Sequence, residues 1–235
     1  LPLIRFEILK RLCRGLNMGN NIKAILFDLD GTLRDTKHVI YGALKEVFDT
    51  QGKPFPTDSE LEPYINHSSF VREAFLPELD QTEFESIYYP AKDRLNPTAK
   101  VFQGTIESLT SLRERGFVLG LVTAARKSML QLNELGLEDY FDVVISAEDS
   151  SEHKPNPEGL FVALERLCIP GTNAVYVGDM PTDIKAGKTA NLRAAIGVSY
   201  GFFSRDKLEE AGADYVIDSL AELPGIVERL NNDED

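Results

Sequence analysis

The chain has 235 residues, 43% of them apolar and 27% charged, a balance that suits a folded protein with a sizeable core and argues against disorder. Lys and Arg number 25 against 38 Asp and Glu, for a formal charge of -13, which argues against nucleic acid or an anionic membrane as the main partner because phosphate is bound by basic patches. No apolar stretch approaches the roughly 18 residues that cross a bilayer; Cys13 and Cys168 form neither a metal-ligand spacing nor a disulfide framework, so a reducing cytoplasm is the expected location.

Residues 1–20 are set aside as a leader segment outside the fold. Within them, Leu3, Phe6, Leu9, Cys13 and Leu16 recur at helical spacing among four basic residues and one acid, Glu7. Two readings stand: upstream sequence ahead of a start at Met18, or the remnant of a targeting peptide or membrane-surface helix. From Asn21 onward apolar runs alternate with helical patterns. Ile22–Phe27 has strand length and ends at Asp28; Thr36–Thr50 carries Ile40, Ala43, Leu44, Val47 and Phe48 on one helical face. A mostly helical stretch follows to about Thr98, with turn signals at Pro54, Pro56, Pro77, Pro90 and Pro97.

Helix Gln103–Arg115, strand Phe117–Val122, helix Arg126–Glu134 and strand Phe141–Ile145 come next. Helix Pro157–Leu167, strand Ala174–Val177, helix Thr182–Ala190, strands Ala194–Val198 and Tyr215–Ile217, and a helix near Glu222–Leu230 complete the pattern, ahead of the acidic tail NNDED. Strands alternating with helices predict an α/β fold, a Rossmann-like parallel sheet flanked by helices. Residues 21–33 and 98–235 form its core, and 34–97 a helical cap inserted after the first strand.

Ligands of such sheets bind beyond the carboxyl ends of the strands. Four strands end in chemically capable residues: Asp28-Leu29-Asp30-Gly31-Thr32, then Thr123, then Lys154-Pro155, then Gly178-Asp179-Met180-Pro181-Thr182-Asp183. Each alone has a plain explanation as a turn, a helix cap or a surface lysine. Four in this order are hard to attribute to capping.

On these residues the sequence resembles the haloacid dehalogenase superfamily. DLDGT at 28–32 matches its first motif, LVT at 121–123 its second, KPNPE at 154–158 its third and GDMPTD at 178–183 its fourth. The helical insert resembles the small cap of the phosphoglycolate-phosphatase-like branch. The resemblance implies a magnesium-dependent phosphatase with Asp28 as nucleophile, forming an aspartyl-phosphate, and Asp30 as general acid and then base. It implies Mg²⁺ held by the Asp28 and Asp179 carboxylates and the Asp30 main-chain carbonyl, with Asp183 reaching the site through water or Lys154. Lys154 would neutralise nucleophile and phosphoryl group. Thr123 and the N–H groups from Ala124 onward would bind phosphate oxygens at a helix N-terminus, with Gly31 turning the chain beneath them and Thr32 donating a hydroxyl.

Two positions depart from the family pattern. Ala124 stands where Asn or Ser is frequent, so a side-chain contact is lost. Arg34 follows DGTL where an apolar residue is more usual; it would point to solvent or steer an anionic substrate. In the cap, Asn66, His67, Ser68 and Arg72 form the most polar cluster and are candidates for substrate specificity, while Tyr88 and Tyr89 read as cap packing.

The expected substrate is a small phosphorylated metabolite (phosphoglycolate-like, a sugar phosphate, a nucleotide or pyrophosphate), handled by a monomer or homodimer. The alternatives are a phosphomutase of the β-phosphoglucomutase type and a non-catalytic binding protein on the same fold.

Overall fold

The computed structural model describes residues 21–65, 67–126 and 128–232; the proposed leader helix, Asn66 and the end of the acidic tail lie outside them. The chain divides into two compact units, one running to Arg34 and resuming at Val101, the other Asp35–Lys100.

In the first unit, the described residues form a parallel sheet of six strands in the order β5-β4-β1-β6-β7-β8. These are β1 (Ala24–Phe27), β4 (Val118–Val122), β5 (Val143–Ile145), β6 (Ala174–Gly178), β7 (Ala194–Val198) and β8 (Tyr215–Ile217). Two short strands, β2 (Arg34–Asp35) and β3 (Lys100–Val101), pair as a ribbon where the chain leaves and rejoins this unit.

The sheet is apolar on both faces because its strands are covered on both, as expected for parallel pairing. Alternation along β1 sends Ile25 and Phe27 to one face and Ala24 and Leu26 to the other. The first face packs against Leu109 and Leu112 of α5 (Thr105–Glu114), Leu132 of α6 (Ser128–Leu135) and Ile226 and Val227 of α10 (Leu223–Asn232). The second packs against Leu160, Ala163 and Leu164 of α7 (Glu158–Leu167) and Ala186 of α8 (Pro181–Thr189). Burying a Leu or Phe at such a position is worth roughly 1.5–3 kcal/mol, so this patterning fixes which way each strand faces.

The order of strands sets the functional edge. The chain runs outward from β1 through β4 to β5, then returns to place β6 on the other side of β1. Phe27 pairs with Val177 on one side and Leu121 on the other. The residues that follow these three strands therefore emerge together at their carboxyl ends.

The second unit is helical: α1 (Lys37–Thr50), α2 (Asp58–Leu61), α3 (Ser68–Phe75) and α4 (Gln81–Leu95). Val39, Ala43, Leu44, Val47 and Phe48 of α1 are buried, with Phe48 edge-on to Phe55 and Phe75. Tyr88 stacks on Phe84 and meets Tyr89 edge-on, the packing expected of that pair. Pro90 corrects the sequence reading, because α4 runs through it to Leu95. Proline lacks the N–H for one helical bond, and here the unit's packing outweighs that loss, with Tyr88 and Ala91 buried on either side. The structure also adds α9 (Arg205–Glu210), whose single buried residue, Leu208, is too little periodicity to read.

Candidate active site

Asp28 is the first residue beyond β1 and Asp179 the first beyond β6; Asp28 N donates to Val177 O (2.9 Å), tying the two strand ends together. Asp183 sits one turn into α8. Oxygens of these three buried carboxylates lie within 4.8 Å of one another. Lys154, from the loop after β5, reaches into the group: Nζ donates to Asp28 Oδ1 (2.8 Å), to Asp183 Oδ1 (2.5 Å) and to the Tyr176 hydroxyl (3.1 Å). That hydroxyl donates to Val122 O (2.9 Å), so a phenol from inside β6 braces the lysine from below.

Each carboxylate has its own anchor. Asp179 accepts from the Phe202 N–H (2.8 Å) and the Thr32 hydroxyl (3.1 Å). Asp183 accepts from the Met180 N–H (3.0 Å) through Oδ2 while Oδ1 faces Lys154, so both its oxygens are engaged within the protein. Glycine makes the approach to Asp179 feasible: Gly31 has φ +82, and a Cβ there or on Gly201 would overlap the Asp179 side chain.

The electrostatics follow from burial. Asp28 is pushed up from 3.8 to about 6, chiefly by loss of water and further by the Asp183 charge, with Lys154 pulling the other way. Asp179 is driven well above the ordinary carboxylate range by burial and then by Asp183 and Asp28. Burial alone would lower Lys154, but Asp183 and Asp28 more than reverse that and hold it protonated. Excess negative charge thus remains after Lys154 is counted. A cluster of buried carboxylate oxygens with unneutralised charge fits a hard divalent cation. Of these carboxylate oxygens, only Asp28 Oδ2 accepts no hydrogen bond among the described residues; Asp179 accepts one neutral donor on each oxygen, whereas Asp183 is turned toward the Lys154 ammonium and the Met180 N–H.

A cleft beside Lys154 is lined by Thr123, Ala124, Ser146 and His153. Thr123 Oγ1 accepts from Ala125 N (3.1 Å), which leaves its O–H to donate to a ligand. Thr123 and Ala124 stand in the loop between β4 and α6, whose described residues begin at Ser128.

Arg34 is a second correction. Its side chain is 2% exposed, and Nε donates to Asp30 Oδ1 at 2.6 Å while a terminal nitrogen donates to Gln131 Oε1 at 2.9 Å. It therefore faces neither solvent nor an incoming anion. Gly31 and Thr32 lie in the same tight loop, both buried.

In the helical unit, His67 caps α3, its Nδ1 accepting from Ser69 N (3.3 Å), and Ser68 begins the helix. Arg72 donates to Gln81 Oε1 (3.0 Å) and Leu79 O (2.9 Å), so its guanidinium is engaged inside that unit. Sequence reasoning missed Tyr176, Gln131 and the Phe202 N–H. Only Tyr176 left a trace, as a phenol in an otherwise apolar strand.

Among the described residues, no helix is long and apolar enough to cross a membrane. The haloacid dehalogenase-like hydrolase family matches residues 25–196, which hold every strand-end motif described above. Pyrophosphatase PpaX of Halalkalibacterium halodurans is 30% identical over 213 residues, covering 88% of this chain and 97% of its own. A phosphoglycolate phosphatase of Nitrosococcus oceani is 28% identical, covering 86% and 95%. The solved structure of a haloacid dehalogenase-like hydrolase from Streptococcus pneumoniae superposes with a TM-score of 0.77 at 22% identity, covering 87% of this chain and 98% of that one, a likeness of fold. The chain belongs to the haloacid dehalogenase-like hydrolase family, as a phosphatase-type member of its phosphoglycolate-phosphatase-like branch.

Proposed function

We propose that this protein is a magnesium-dependent phosphatase that hydrolyses a small phosphorylated metabolite through an aspartyl-phosphate on Asp28. One observation carries the reading: Lys154 Nζ stands 2.8 Å from the carboxylate of Asp28, which shares a buried cluster with Asp179 and Asp183. A carboxylate attacking a phosphate dianion is repelled unless positive charge is fixed beside it, and fixed charge is where such sites gain most of their rate.

An Asp28 oxygen attacks phosphorus, the bond to the ester oxygen breaks, and Asp30 supplies the proton that oxygen needs. Water then attacks the phosphorus of the acyl phosphate and gives its proton to Asp30, and the bond back to Asp28 breaks to release phosphate. Lys154 holds Asp28 in place and offsets the charge of the phosphoryl oxygens, and the Thr123 hydroxyl donates to one of them. Mg²⁺, held by the Asp28 and Asp179 carboxylates and the Asp30 carbonyl, would supply further positive charge at the same oxygens.

Phosphoglycolate-like acids, sugar phosphates, nucleotides and pyrophosphate are the substrate classes to screen; the names of the two relatives favour the first and the last. The setting we infer is the cytoplasm, where Cys168 stays a free thiol. Phosphate release from p-nitrophenyl phosphate and from that panel, with magnesium or with excess chelator, tests the reading. The expected result is turnover that chelator and Asp28→Asn each abolish. Full activity in either condition would overturn it, and interconversion of sugar phosphates with little phosphate release would favour a mutase.

A further inference from the structure

Resting on that reading of Asp30 as the proton-transfer group, we propose that Arg34 and Gln131 form a positioning device that sets how Asp30 presents its proton. The chain between the two charged residues is closed on itself. Arg34 N donates to Leu29 O (3.2 Å) and Gly31 N donates to Arg34 O (2.9 Å), so Asp30 and Arg34 face each other across a backbone bridge. The guanidinium then forks onto one oxygen: both Nε and a terminal nitrogen approach Asp30 Oδ1 at 2.6 Å. Gln131 Oε1 takes a further guanidinium N–H (2.9 Å), and Gln131 Nε2 is itself held by Arg126 O (3.2 Å).

Burying a guanidinium is expensive unless its bonds are well met; at 2% exposure Arg34 is met on one side by Asp30 and on the other by Gln131. Asp30 is the more exposed partner, at 16%. Because Oδ1 accepts the Nε–H and faces a second guanidinium nitrogen at ion-pair distance, a proton on this carboxyl resides on Oδ2, which accepts no hydrogen bond among the described residues. Arg34 thus selects the oxygen that gives and takes the proton, and holds the carboxyl plane while it does so. A leaving group that needs no proton has little use for this control, whereas an alkoxide depends on it.

The test compares wild type, Arg34→Met, Arg34→Lys and Gln131→Leu with magnesium, reading kcat/KM on p-nitrophenyl phosphate and on glycerol phosphate. This ratio reports the steps up to departure of the leaving group. Inorganic phosphate serves as a competitive inhibitor to read binding. A misplaced proton donor costs on the order of 100-fold. Arg34→Met should lose about that much on the alkyl ester and less than about tenfold on the aryl ester. Phosphate inhibition should be unchanged, and Arg34→Lys should recover part of the alkyl activity.

Equal losses on both esters, or a loss confined to KM, would assign Arg34 a purely structural role and overturn the inference. Should Arg34→Met fail to fold, Arg34→Lys and Gln131→Leu carry the same comparison, and equal fold-losses on the aryl and alkyl esters in both would overturn it. A wild type inactive on every ester would instead remove the phosphatase reading beneath it.

Discussion

Lys154 holds together groups that would otherwise repel each other. It pairs with Asp28 and Asp183 at once, both of them buried, so replacing it leaves like charges facing one another without a cation. Removing one partner of a buried pair costs about 3–5 kcal/mol; here Asp28 can take up a proton near pH 6, which places the expected loss at the lower end. Lys154→Met should therefore melt earlier at neutral pH and regain much of that loss in mild acid. Its kcat should fall at least on the order of 100-fold, the scale set by removing one charge-stabilising donor. Denaturant unfolding at two pH values and steady-state kinetics check both parts; a stability loss independent of pH would contradict the assigned pairing. The lysine was legible in the sequence because KPNPE follows a strand. Its phenolic brace was not, since Tyr176 sits 22 positions away in a run that reads as plain apolar strand.

Elements carry the site by where they stop. Runs such as AILF, VLGLV and AVYVG announced strands, and the polar residue after each announced the edge where chemistry sits. What the runs could not announce is non-local closeness: the β1 loop, the β6 loop and the segment at 201–202 converge on one carboxylate, Asp179, and no spacing records that. Arg34 was misread for the same reason, because its partner Gln131 is 97 residues away on α6. The convergence depends on backbone passing where a Cβ would collide. Gly31→Ala meets two penalties at once, a φ of +82 and overlap with the Asp179 carboxylate. The strain alone is roughly 1–2 kcal/mol; the displaced Asp179 should add a loss of magnesium affinity. Titration calorimetry on Gly31→Ala should show weakened magnesium binding. Gly52→Ala, also at positive φ but with nothing within 4 Å of its Cβ, should show backbone strain only. Equal magnesium affinity in both variants would break the argument.

At the scale of the whole molecule, the site is a place where folding stores unfavourable charge that a cation can relieve. Asp28 has its folded value raised to about 6 and Asp179 is raised further from the ordinary range, both first by burial. The sign follows from linkage: a group raised in the folded state contributes stability that is complete below its unfolded value and is lost as pH rises through the folded one. For Asp28 that window runs from 3.8 to about 6, so at neutral pH the cation-free protein has lost the contribution. A divalent cation binds the carboxylate forms and competes with their protons. Magnesium at about 100 times its dissociation constant stabilises by about 2.7 kcal/mol, or roughly 5–10 °C in Tm for a chain of this size. That rise should appear near neutral pH and shrink toward about pH 5, where protons occupy Asp28 and Asp179. With a formal charge of -13 the protein also attracts cations diffusely, so sodium chloride at matched ionic strength is the control for screening. Thermal melts of wild type and Asp179→Asn at both pH values decide the matter: the increment should vanish in the variant. An increment that survives Asp179→Asn, or that is as large in acid as at neutrality, would mean that magnesium acts elsewhere on the molecule.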